Sequence, residues 1–135
     1  MTNVIIGLLR SIPSQLQSVC VGPDRSDQSG HRFNVSWDPL PCHFQNGADN
    51  TDYIIQYSLT SGGEAQNVSN TQMICGQESG GPYRCLIAGS LFIPFQTYNF
   101  QVAATNRYGV GPFSDPVSYR NTGLSRYYLH VQCTV

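Results

Sequence analysis

Between Tyr98 and Thr105 the chain alternates without a break. Tyr98, Phe100, Val102 and Ala104 fall on one side, and Asn99, Gln101, Ala103 and Thr105 on the other. A period of two predicts a strand with one buried and one wet face. Pro94, four residues before the tyrosine, marks the turn into this strand, and Asn106 to Gly111 supplies the turn out of it. Upstream, Phe33, Val35 and Trp37 alternate with Asn34 and Ser36 until Asp38-Pro39 stops a second strand. Extending the same reading predicts strands at 14–21, 31–38, 52–59, 65–74, 85–91, 97–105 and 113–120. The segments between them are rich in Gly, Pro, Asp and Asn: Gly22-Pro-Asp24, Pro41 to Asn50, Ser61-Gly-Gly63, Gly80-Gly-Pro82 and Gly109 to Pro112. No helix-period segment of useful length interrupts them.

Seven short strands with turns between them predict an all-β, seven-stranded, immunoglobulin-like β-sandwich. The inward positions predict a core of Leu16, Val21, Phe33, Val35, Trp37, Tyr53, Ile55, Tyr57, Leu86, Phe92, Tyr98, Phe100, Val102 and Ala104. Trp37 and Tyr98 are its structural anchors. A buried indole N–H needs a partner, and the Tyr98 hydroxyl is expected to bond backbone near Pro94.

Three blocks of residues carry a resemblance. Phe33-x-Val35-x-Trp37-x-Pro39, Tyr53-x-Ile55-x-Tyr57, and the long block from Phe92 and Pro94 through Tyr98, Phe100, Val102, Ala104 and Asn106 to Gly109, Gly111 and Ser114 together resemble a fibronectin type III domain. The resemblance covers roughly residues 13 to 121, leaving 1–12 as an N-terminal flank or linker. Residues 122–135 form a C-terminal extension or the start of a following module. Phe92 stands where the family usually has Leu, and Gln96 where it usually has a small residue such as Thr. The resemblance implies a module that binds or spaces, usually one of several in a longer chain. Neither Arg-Gly-Asp nor the paired Trp-Ser motif of cytokine receptors is present.

Charge changes the picture by elimination. Only 11% of the 135 residues are charged, against about 25% in a typical globular chain. The net charge is −1 and the seven basic residues, all arginine, are scattered. Nucleic acid is therefore given no basic cluster to grip. Val4 to Leu9 is apolar but too short to cross a bilayer, and it lacks the basic and cleavage regions of a signal peptide. Direct membrane insertion by this segment is not expected.

The family generally folds without disulfides, whereas this chain has five cysteines: Cys20, Cys42, Cys75, Cys85 and Cys133. Cys75 and Cys85 stand symmetrically about Gly80-Gly81, so a turn there sets them opposite one another at bridging distance. Alternating strand direction places Cys20 and Cys133 together at one pole and Cys42 at the other. Cys20 with Cys133 is thus a second possible bridge, while Cys42 competes for Cys75 or Cys85 or stays free. No Cys-x-x-Cys occurs, and His31, His43 and His130 do not fall at zinc-ligand spacing. No metal or other cofactor is expected.

Asn34-Val-Ser36 and Asn67-Val-Ser69 match the N-glycosylation pattern. With the cysteines they favour an oxidising, extracellular setting. Arg107 and Tyr108, at the tip after the long alternating strand, are residue types that dominate binding interfaces. Ser, His and Asp are present without a local catalytic signature, so no enzyme is expected. The reading is a non-catalytic protein-binding or spacer module of an extracellular adhesion protein or cell-surface receptor, its protein partner unspecified. The alternative is an intracellular structural repeat of a cytoskeletal or muscle-type protein.

Overall fold

The computed structural model describes residues 12–24, 32–40, 52–77, 79–120 and 131–134. Among these residues ten strands form two antiparallel sheets. They are β1 (Cys20–Pro23), β2 (Arg32–Trp37), β3 (Asp52–Leu59), β4 (Gln66–Asn67), β5 (Met73–Gln77), β6 (Tyr83–Ala88), β7 (Thr97–Asn106), β8 (Gly109–Val110), β9 (Val117–Arg120) and β10 (Gln132–Cys133). The first sheet runs β10-β1-β2-β6-β5 and the second β4-β3-β7, with β8 and β9 both paired to the far side of β7. The seven-stranded framework is therefore present, with short strands added at its edges.

Alternation produces this arrangement directly. Phe33, Val35 and Trp37 of β2 are buried and face Tyr98, Phe100, Val102 and Ala104 of β7 across the interior. Phe33 stacks on Phe92 at 4.9 Å and meets Phe100 edge-on at 6.3 Å, offset geometries that aromatic quadrupoles prefer. Register decides which residues of β6 join them. Cys85 pairs with Val35 and Ile87 with Phe33, so Cys85 and Ile87 point inward and Leu86 stays half-exposed. The core position expected at Leu86 therefore falls one residue out of register. Val19, Leu40, Val68, Val117 and Tyr119 are further core residues that the alternation did not single out.

Four predicted strands have markedly different bounds, and the one read as 113–120 begins only at Val117. The segment read as 14–21 makes no ladder before Cys20, where β1 begins. The segment read as 65–74 is two strands on different sheets. Ser69 caps a 3-10 turn at Asn70–Gln72, with Gln72 bonding back to the Ser69 N–H, and the chain crosses there from β4 to β5. This is a capping box, whose reciprocal bonds turn the backbone out of extended geometry. The strand read as 85–91 spans Tyr83–Ala88 and ends in a second 3-10 turn.

We call the upper pole the end holding the close of β2, the start of β3 and the β7–β8 turn. Because β1 begins at Cys20, that cysteine lies level with Ser36 near this upper pole, rather than at the lower one. The C-terminal residues join the same sandwich: β10 pairs with β1, placing Cys133 opposite Cys20 and Gln132 opposite Val21. Cys42, with the loop from Pro41 to Asn50, lies outside the described residues.

Candidate functional site

At the upper pole, β7 reverses into β8 through Arg107 and Tyr108. The Asn106 side-chain oxygen accepts a 2.8 Å bond from the Tyr108 N–H, and the Thr105 hydroxyl donates to the Gly109 carbonyl. Gly109 has φ +138°, a conformation costly for any residue with a Cβ. The turn holds both side chains outward, with the Arg107 guanidinium carbon 5.1 Å from the Tyr108 ring. Cation–π pairs favour this stacking. Ile12 packs against Gly109, and Ile12, Tyr108 and Val110 are exposed apolar side chains at this turn.

Beneath this tip lies an aromatic group. Trp37, Tyr53 and Tyr83 have ring centroids 4.6 to 6.0 Å apart. Trp37 is 1% exposed and its indole N–H forms no hydrogen bond, although its dipole lies near the Tyr53 hydroxyl. Burial pushes that hydroxyl up from its ordinary 10.0 to about 12, and the neighbouring Tyr83 adds to the shift. Burial raises Tyr119 in the same direction. These phenols stay neutral at physiological pH and act as packing rather than as acids or bases.

At the opposite pole Tyr98 is buried, and its hydroxyl accepts a 2.8 Å bond from the Ile93 N–H, one residue before Pro94. The corner carries two exposed apolar side chains, Ile93 and Phe95, and Phe95 adopts φ +65°. The sequence reading missed both. A phenylalanine following proline inside a turn was the available signal.

The four described cysteines lie on one sheet. Cys75 and Cys85 are directly paired on β5 and β6 with Cα atoms 4.1 Å apart and their sulfurs bonded. Cys20 and Cys133 are bonded between β1 and β10 with Cα atoms 4.0 Å apart. The second bridge closes 113 residues of sequence, the first only 10.

The two sequons occupy unlike places. Asn34 lies mid-strand on β2, between Gly22 and Leu86, and lines a groove of about 400 Å³ on the outer face of the first sheet. Ser36, Arg84, Asp24 and Val131 share that groove, and Asp24 is paired with Arg32 at 3.1 Å. The Asn34 side-chain carbonyl is shut off from water without a hydrogen-bond partner. Asn67 is exposed on the short edge strand β4. Among the described residues no three His, Cys, Asp or Glu side chains gather into a metal site, and no helix is long and apolar enough to cross a membrane. The described surface offers arginine, aromatic and aliphatic contacts on rigid turns, which suits recognition of another macromolecule.

No match was found among curated protein sequences. Among solved structures, the chain is similar to the FN1–FN3 domains of chicken CNTN1, with 22% identity and a TM-score of 0.60 over 81% of this chain and 34% of that one. It is similar to a structure described as a myokine, with 17% identity and a TM-score of 0.55 over 82% of this chain and 98% of that one. The titin kinase and its flanking domains give 21% identity and a TM-score of 0.53 over 78% of this chain and 16% of that one. The chain thus spans about a third of the CNTN1 structure and a smaller part of the titin one. At these identities the likeness is one of fold. The fibronectin type III domain family matches residues 22–120, most of the sequence, and the chain belongs to that family.

Proposed function

We propose that this module is a non-catalytic binding or spacer element in the extracellular part of an adhesion protein or cell-surface receptor. The supporting observation is the pair of disulfides, Cys20–Cys133 and Cys75–Cys85, built into the ladder of a single sheet. Such bonds persist in oxidising compartments and are rare in the cytosol. The Arg107–Tyr108 tip with Ile12 and Val110 is the contact surface, because forked cations and aromatics held on a rigid turn concentrate binding energy. Adjoining domains occupy the remainder of the parent protein. We place the limits of the sandwich proper near 13 and 121, with β10 as an added strand.

Alkylation of the chain in its source cells before any reduction tests the compartment. Protection of Cys20, Cys75, Cys85 and Cys133 is the expected result. Free thiols at all four would instead make the chain an intracellular structural repeat, the reading that its fold likeness to titin domains favours. The contact surface is tested by the double variant Arg107→Ala, Tyr108→Ala. Partner capture from the extracellular medium or cell surface should fall at least tenfold with folding stability unchanged.

A further inference from the structure

We propose that the folded, disulfide-closed molecule carries an N-linked glycan on Asn67 and none on Asn34, and that this sugar covers the uncharged middle of the second sheet's outer face. The inference rests on the extracellular reading above.

Asn67 sits at the outer edge of its sheet, on a two-residue strand with no further strand beyond it among the described residues. Val68, buried beside it, anchors that edge through a 2.8 Å bond from its N–H to the Ile55 carbonyl. The Asn67 side chain therefore projects from a fixed backbone into solvent. The row it heads continues through Gln56 to Gln101, and the next row holds Ser58, Asn99 and Ser118. Every one of these side chains is an amide or a hydroxyl. Tyr53, Ile55 and Tyr57 alternate with Gln56 and Ser58, so the polar set shares one outward face. Charge lies only at the ends of this face, at Asp52 and Arg120, so its middle has little electrostatic protection against self-association, and the short edge strand offers unpaired backbone groups to another chain. An oligosaccharide rooted at Asn67 reaches both, and its hydroxyls match the amides in hydrogen-bonding character.

Asn34 offers the opposite environment. Its side-chain carbonyl is already sealed and unpaired. Its cross-strand neighbour Gly22 is so closely covered that an added Cβ would lie 2.9 Å from the Val131 side chain. A sugar bonded to Asn34 would fill the groove that Val131 also lines and crowd the residue that leads into β10. Such a chain could not seat β10 against β1 and close Cys20–Cys133.

The chemistry needs an oligosaccharide donor of the polyprenyl-diphosphate class. The anomeric C1–O bond to the diphosphate breaks, the C1–Nδ2 bond forms, and the displaced amide proton leaves with the lipid diphosphate.

The test is secretion of the full chain from cultured eukaryotic cells, isolation of the disulfide-closed fraction, and enzymatic deglycosylation that converts each linked Asn to Asp. Peptide mass spectrometry should mark Asn67 and leave Asn34 unmarked. Asn67→Gln and Ser69→Ala should each abolish the glycan's gel shift, and Ser69→Thr should retain it. A sugar on Asn34 in the closed fraction overturns the proposal, as does a secreted chain with both bridges formed and Asn67 bare. Those two results leave the extracellular reading standing, whereas thiols free in the source cells overturn both.

Discussion

The Tyr98 hydroxyl holds a backbone N–H that has no other strand to pair with. Removing only that oxygen, in Tyr98→Phe, leaves the Ile93 N–H unpaired while the ring keeps its packing against Phe92 and Tyr57. The expected loss is about 1–2 kcal/mol, read as a lower urea midpoint with an unchanged slope. A second residue-scale prediction concerns alkali. The folded Tyr53 hydroxyl releases its proton near 12, whereas in the unfolded chain it does so near its ordinary 10.0. Above about pH 10 the unfolded state gains tyrosinate that the folded state resists, so stability is full below that pH and falls as pH rises toward 12. Tyr119 contributes in the same sense. Thermal melts from pH 8 to 11.5 should show the decline, and Tyr53→Phe should make it shallower. At this scale the sequence was readable wherever alternation decides burial. It was misleading at Leu86, where cross-strand register, invisible in one strand alone, selects Ile87 instead.

Among the elements, the two cystine-linked pairs are unequal in consequence. A cross-link restricts the unfolded chain more when it closes a longer loop. On that argument Cys20–Cys133 contributes about 5 kcal/mol and Cys75–Cys85 about 3, both upper values. Cys20→Ser with Cys133→Ser should therefore lower the denaturant midpoint more than Cys75→Ser with Cys85→Ser. Equal midpoints would refute the loop-length argument for this fold. The β5–β6 hairpin was legible because Gly80-Gly81 lies midway between its cysteines. The split of 65–74 into β4 and β5 was legible too, in the Ser69-Asn-Thr-Gln72 spacing of a capping box, but an alternation-based reading passes over it. The start of β1 at Cys20 had no such marker. Residues 14–19 look like strand in composition, yet Ser18 takes φ +58° and breaks the extended path. Of the candidate surface, Arg107 and Tyr108 stood out by residue type. Ile12 and Val110 did not, because only folding brings Ile12 beside Gly109.

For the whole molecule, the Cys20–Cys133 bond has a mechanical consequence. Ile12 rests on Gly109 and Thr134 bonds to Val19, so described segments from both ends of the chain lie at the upper pole. Tension applied to chain continuing on either side of Ile12 and Thr134 would travel from residue 12 to 20, cross the sulfur bridge, and leave through 133. The 112 residues of sequence between the two cysteines form a side loop that bears no load. In a force-extension experiment the oxidised module should show no unfolding step. After reduction it should lengthen by on the order of 400 Å, at about 3.5 Å for each released residue. Oxidised, it is an inextensible link whose sandwich can keep a grip on a ligand while the tether around it is pulled taut.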